Sequence, residues 1–138
     1  MFSILLPKLI SLTSKVGETI MSLQNENMGF ILKSDSTPLT QADKISHSLI
    51  TEALTKITPN VPILSEESKK IPFSVRKDWD AYWLIDPLDG TRNFLDGSRE
   101  FCISIAYIVN NYPVFGLIYA PFYKIHYYRL PRQNSIKL

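Results

Sequence analysis

Two amphipathic helical stretches ahead of a series of short β-prone runs predict a mixed α/β (α+β) protein, with two helices packed on a mainly antiparallel sheet. Apolar residues recur at three- and four-residue steps over residues 1–23 and again after Thr40. From Tyr82 onward the pattern changes to β-branched and aromatic runs separated by turn formers. A chain of 138 residues is by default one domain, long enough to bury roughly two-thirds of its unfolded surface.

The elements follow in order. Over residues 1–23, Leu5, Leu6, Leu9, Leu12, Val16, Ile20 and Leu23 form one apolar face, with Lys8, Lys15 and Glu18 between them. Pro7 is tolerable only in the first turn of such a helix. A signal peptide would need an unbroken apolar run, and Lys8 interrupts this one. Phe30-Ile31-Leu32 is a short apolar run followed by a turn-rich loop over residues 34–38. A second helix opens at Thr40, where Thr40 and Asp43 have capping-box spacing, and Ile45, Leu49, Ala53 and Ile57 mark its apolar face. Pro59 and Pro62 end it. Ile63-Leu64 is a brief strand that runs into Ser65-Glu66-Glu67, and residues 69–80 read as a connection. Tyr82 to Ile85 is a strand ending at a turn, Asp86-Pro87-Leu88-Asp89-Gly90-Thr91. Residues 101–109 and 114–119 form a hairpin, and residues 125–128 a further strand. Residues 129–138 show no periodicity, so the expected organisation is a domain over 1–128 and a polar tail over 129–138.

Composition excludes several classes of function. Fifteen Lys+Arg against 13 Asp+Glu leaves a net charge of +2, too small to argue for nucleic acid. A 45% hydrophobic share with 20% charge is that of a globular chain. One cysteine rules out an internal disulfide and a Cys-rich zinc site. No apolar run is long enough for a transmembrane helix. A cytoplasmic location is expected, with peripheral attachment of the first helix to the cytoplasmic membrane face as a weaker alternative, because its polar face is only lightly basic.

The chemistry gathers at the ends of strand-like segments, at Glu66-Glu67 and at Asp86 with Asp89. Carboxylates so placed suit a hard cation, and oxygen-only ligation favours magnesium over zinc. A turn at Asp86-Pro87-Leu88-Asp89 would aim both carboxylates and the Leu88 carbonyl at one point. Gly90 would let the backbone approach closely, and the amides of Gly90 and Thr91 would open a helix that receives a phosphate oxygen. Phosphate ester hydrolysis uses these parts. The same D-x-x-D-G spacing also describes a surface turn.

The wider string is more specific. Leu64-Ser65-Glu66-Glu67 and the run from Trp83 to Phe94, WLIDPLDGTRNF, resemble the inositol monophosphatase superfamily of magnesium-dependent phosphatases. Pro38 to Asp43, Thr58 to Leu64, Tyr82-Trp83, Arg92 and Glu100-Phe101 are most similar to its CysQ-type branch, the 3'(2'),5'-bisphosphate nucleotidases. The resemblance implies a layered sugar-phosphatase-type fold and a phosphorylated small-molecule substrate of the adenosine 3',5'-bisphosphate class. It also implies Mg2+ held by Glu66, Asp86, Asp89 and the Leu88 carbonyl. Asp43 and Thr91 would orient and deprotonate the attacking water with help from Glu66 or Glu67. Gly90 and Thr91 would take the phosphate through their amides, with Lys33 near the site. Each residue has a plainer reading as well: Asp43 and Thr91 as helix-end residues, Glu66 and Glu67 as solvated acids, Lys33 as a surface charge. Cys102, His47, His126, Trp79 and Trp83 are expected to pack rather than react.

Members of that family continue into a second α/β half with a further aspartate in a W-D pair, and no W-D pair follows the WLIDPLDGTRNF run in this sequence. All 13 acidic residues lie at or before Glu100, and the residues after it contain only the charges of Lys124, Arg129, Arg132 and Lys137. The expectation is therefore the N-terminal half of such a fold, marginally stable, with weak or no turnover and with exposed core surface that invites self-association.

Overall fold

The computed structural model describes residues 1–24, 30–32, 38–68 and 70–138. Helix α1 (Phe2–Gln24) buries Leu5, Leu9, Thr13, Val16, Gly17 and Ile20, so the apolar face expected from its sequence lies against the sheet. Pro7 sits in its second turn rather than its first. So near the start of the helix, its missing N–H removes only one intrahelical bond. At Gly17 a β-carbon would come within 2.5 Å of the Tyr119 ring, so α1 needs a bare backbone where it crosses the sheet.

Strands β1 (Phe30–Leu32) and β2 (Pro38–Thr40) pair antiparallel. Helix α2 (Gln41–Ile57) follows, capped by Thr40, whose hydroxyl accepts the Asp43 N–H while the Asp43 carboxylate accepts the Thr40 N–H. The capping box is the expected one, but the buried face is not. Ala42, Asp43, Ser46, Ile50 and Leu54 point inward, whereas Leu49 is exposed. The inner face is one position away from the Ile45–Leu49–Ala53–Ile57 row because two of its members are polar, so hydrophobic periodicity alone places it wrongly.

The described residues form a six-stranded sheet in the order β3-β4-β5-β6-β7-β8, from β3 (Ile63–Ser65), β4 (Ala81–Asp89), β5 (Cys102–Val109), β6 (Tyr112–Ala120), β7 (Ile125–Arg129) and β8 (Ile136–Lys137). Only β3 and β4 are parallel; every other pairing is antiparallel. The short helix α3 (Phe73–Arg76) lies in the β3–β4 connection, which the sequence marked as irregular. Residues 129–138, aperiodic in sequence, finish β7 and add β8, which pairs Ile136 with Tyr128 and Lys137 with Tyr127.

Both long helices cover one face of the sheet. Trp83, Ile85, Ile103, Ile105, Phe115 and Leu117 alternate inward to meet Leu9, Ile20, Ile50 and Leu54, all essentially inaccessible. The Trp83 indole N–H donates to Thr58 Oγ1 at 2.9 Å, which leaves no buried donor on that ring. On the opposite face Leu84, Ile118 and Tyr127 are exposed, with Ile118 paired directly to Tyr127. No helix among the described residues is long and apolar enough to cross a membrane.

His126 links the far edge to α1. Its Nε2 lies 3.0 Å from Thr13 Oγ1, and its ring stacks on Tyr119 at 4.1 Å. Burial holds the imidazole below its usual range, against a lift from the Ile10 carbonyl. The fold therefore favours neutral His126, and as pH falls the unfolded chain takes up the proton first. Stability from this group is present above about pH 6.5 and is lost as pH drops through the depressed folded value. A His126→Phe variant, which keeps the stack, should show a shallower fall in melting temperature from about pH 7 to pH 5. Parallel curves for the two proteins would refute this account.

Candidate active site

Strand β4 does not stop at Ile85 in a turn; it continues through Asp89 with a bulge. Asp86 pairs with Ser104 and Asp89 with Cys102, so Pro87 and Leu88 together oppose the single residue Ile103. Strict alternation would send Asp86 and Asp89 to opposite faces. The extra residue instead turns both Pro87 and Leu88 inward, where they are buried, and returns Asp89 to the open side with Asp86. Proline is at home here because a bulge already forgoes a ladder bond.

The backbone groups of Pro87 and Leu88 find side-chain partners. Ser46 Oγ donates to the Pro87 carbonyl at 2.6 Å. The Leu88 N–H donates to the Asp86 carboxylate. The Leu88 carbonyl faces the Thr91 hydroxyl at 3.2 Å. That hydroxyl also lies 2.9 Å from Asp43 Oδ1, so Asp43 and Thr91 are brought together. Asp43 is fully buried at the first turn of α2, where its other carboxylate oxygen caps Thr40. Capping and contact with Thr91 are thus done by one side chain.

Gly90 then reverses the chain with φ of 89°, and a β-carbon there would lie 2.8 Å from the Glu100 carbonyl. Helix α4 (Thr91–Leu95) starts immediately afterwards, with no side chain capping its first turn. Gln24 at the end of α1 holds the far side of α4 by donating to the carbonyls of Phe94 and Ser98 at 3.1 and 2.9 Å.

Glu66 reaches the site from the neighbouring strand. Ser65 pairs with Ile85, and the Glu66 N–H continues the ladder to the Ile85 carbonyl at 3.2 Å, setting Glu66 beside Asp86. The carboxyl ends of two parallel strands thus meet at one end of the sheet, where α/β proteins commonly bind ligands. Glu66, Asp86, Asp89 and Ser104 line an open cleft of about 380 Å³ whose remaining wall includes Leu84 and Ile118.

Burial, followed by repulsion from Asp89, Glu66 and Glu67, pushes the Asp86 carboxyl from its ordinary 3.8 up to about 6, against the lowering effect of the Leu88 N–H. No lysine or arginine among the described residues forms an ion pair with Asp86, Asp89 or Glu66. A group of like charges with oxygen donors fits a hard divalent cation. Among the described residues, no three acidic, histidine or cysteine side chains yet converge on one point as ligands.

Cys102 is not in the core as its apolar strand suggested. The alternation of β5 turns Ile103 and Ile105 inward and Cys102 outward, with Sγ 3.9 Å from Asp89 Oδ2. Burial and the nearby acids push its thiol up, which keeps it protonated and a poor nucleophile. Lys33 lies outside the described residues. Sequence reasoning missed Ser46, and it left His47 without a partner. His47 Nδ1 lies 2.8 Å from Ser65 Oγ, at the root of Glu66. The available signal was spacing: Asp43, Ser46 and His47 fall at i, i+3 and i+4 on one side of α2.

The inositol monophosphatase family model matches residues 5–134 of the chain. The chain belongs to that family. The 3'(2'),5'-bisphosphate nucleotidase CysQ of Salmonella typhimurium is 40% identical over 126 residues, covering 90% of this chain and 51% of that protein. CysQ of Aggregatibacter actinomycetemcomitans is 38% identical over 133 residues, covering 96% of this chain and 49% of its own length. Among solved structures, CysQ from Bacteroides thetaiotaomicron aligns with a TM-score of 0.76 at 36% identity, over 92% of this chain and 46% of that one. The extragenic suppressor protein SuhB from Bartonella henselae aligns with a TM-score of 0.85 at 28% identity, over 96% of this chain and 51% of that one. The mixed α/β fold expected from sequence is thus that of the inositol monophosphatase family, and the chain spans about half the length of the curated relatives it matches.

Two outcomes follow for this family member. The raised Asp86 value means that the fold disfavours its ionised form, so the folded chain holds more protons than the unfolded one between about pH 4 and pH 6. Stability falls as pH rises through that window. Asp86→Asn should therefore melt a few degrees above the parent near neutral pH without divalent cations, and the gap should close near pH 4. Millimolar Mg2+ should raise the melting temperature of the parent but not of the variant; an equal rise in both would remove Asp86 from the metal site. Gly90→Ala combines a positive φ with a backbone clash and should lower stability by about 2 kcal/mol in urea denaturation.

Proposed function

We propose that this chain carries the metal-holding and water-orienting half of a phosphomonoesterase site of the CysQ type, acting on a phosphorylated small molecule of the adenosine 3',5'-bisphosphate class. The observation that carries the reading is the pair of facing features at the β4 end. On one side the bulge presents Asp86 and Asp89 beside Glu66; on the other Asp43 accepts a hydrogen bond from Thr91. The CysQ relatives, similar over about nine-tenths of this chain, support the choice of substrate class.

Glu66, Asp86, Asp89 and the Leu88 carbonyl would hold Mg2+, which when bound would neutralise phosphoryl charge and lower the pKa of water. The protein's own residues do the rest. The Thr91 hydroxyl, shared between Asp43 and the Leu88 carbonyl, orients a water for attack, and buried Asp43 receives proton density through that hydroxyl. The amides of Gly90 and Thr91 receive a phosphate oxygen where α4 begins. Asp43 is already hydrogen-bonded through both oxygens, so the pair needs little rearrangement on substrate binding.

The exposed apolar side of the sheet supports a second reading of the chain's competence. Leu84 and Ile118 wall the cleft and are open to solvent, so the reacting groups lack cover on that side. We infer that turnover by this chain alone is weak and that self-association through this face, or a covering polypeptide, raises it.

The deciding experiment is phosphate release from adenosine 3',5'-bisphosphate and from inositol 1-phosphate, with Mg2+, by the parent and by Asp86→Asn. Release that prefers the bisphosphate and disappears in the variant is the expected result, with rate per chain rising with protein concentration. Release that survives Asp86→Asn would reject the site. Preference for the inositol ester would move the substrate class while leaving the chemistry in place.

A further inference from the structure

We propose that His47 is a positioning residue for the metal ligands, acting through Ser65; this rests on the metal-dependent phosphatase reading. Its Nδ1 lies 2.8 Å from Ser65 Oγ, and the same oxygen accepts the Glu67 N–H at 3.2 Å. Glu66 stands between those two residues, with its own N–H fixed on the Ile85 carbonyl at 3.2 Å. The backbone carrying Glu66 is therefore held from three directions, and the contact from His47 is the one that ties it to α2.

What makes that tie informative is where else α2 reaches. One turn before His47, Asp43 meets the Thr91 hydroxyl at 2.9 Å; beside it, Ser46 meets the bulge at the Pro87 carbonyl at 2.6 Å. Consecutive turns of one helix therefore set three separations at once: to α4, to the β4 bulge and to the end of β3. The first two fix Thr91 and the pair Asp86–Asp89. His47 adds to the β3–β4 ladder a hydrogen-bonded tie from the end of β3, at the sheet edge, to α2. Metal ligands tolerate displacements of only about 0.5 Å, and partners one shell out commonly change metal affinity 10- to 100-fold.

The geometry also says which substitutes should work. Nδ1 makes the contact, and an asparagine amide places a polar atom close to where Nδ1 sits, whereas a glutamine amide reaches toward the Nε2 position. Mg2+ affinity of the full chain, measured by titration calorimetry below the melting temperature of each variant, tests this without any need for turnover. His47→Ala should weaken Mg2+ binding about tenfold. His47→Asn should recover most of it and His47→Gln should not. Ser65→Ala should lose a comparable amount, and the double variant His47→Ala/Ser65→Ala should be little worse than either single one, because both break the same link. Equal affinity in all the His47 variants and the parent would overturn the proposal, as would equal losses in Asn and Gln that add to the Ser65→Ala loss. Failure of the parent to bind Mg2+ would instead reject the metal site, and this proposal with it.

Discussion

The bulge at Pro87-Leu88 is the constraint on which the site depends. Two acids separated by two residues on a regular strand face opposite sides of a sheet. Here they share one side because an extra residue is absorbed between the Asp86–Ser104 and Asp89–Cys102 pairs. A bulge frees backbone groups, and freed groups beneath two helices must be satisfied. Ser46, Asp86 and Thr91 do so, and two of those three are also read as parts of the chemistry. The local structural problem and the functional arrangement therefore have one solution, and neither can change without the other.

Helix α2 is the rigid body that makes the solution stable. It is buried against β4 through Ile50 and Leu54, and its first turns spend inward positions on Asp43 and Ser46 instead of apolar residues. Those positions forgo hydrophobic stabilisation of about 1.5–3 kcal/mol each. Hydrogen bonds of 2.6–2.9 Å to fixed partners offset part of that. A fold selected for stability alone would fill such sites with aliphatic side chains.

How much of this was legible from sequence follows from which interactions are local. The face of α1 could be read because its apolar positions repeat without interruption. The capping box at Thr40 could be read because its partners are three residues apart. The face of α2 could not, since inward Asp43 and Ser46 shift the apparent stripe onto Ile45 and Leu49. The bulge was hidden for a related reason: Asp, Pro and Gly together have the composition of a turn, and only pairing with β5 shows that the strand goes on. The link from His47 to Ser65 joins residues 18 apart, and no periodicity encodes it. The acids themselves were found through a long motif; their convergence on one side depends on a register that the motif does not state.

The charge arrangement gives the site its direction of response. Among the described residues the carboxylates of Glu66, Asp86 and Asp89 are carried on hydrogen-bonded backbone, and burial with repulsion among the acids leaves Asp86 with a raised proton affinity. A cation entering the cleft would remove that repulsion and gain ligands in the same event, so metal binding and folding stability are coupled with the same sign. Asp43 behaves differently. It is more deeply buried than Asp86, and the Thr40 amide and the hydroxyls of Thr40 and Thr91 surround it with donors. In the proposed reading one cluster would take a cation while the other is already hydrogen-bonded, and α2 contacts both the β4 bulge and Thr91. A cation-holding part beside a preorganised one is what phosphate ester hydrolysis would require of that reading.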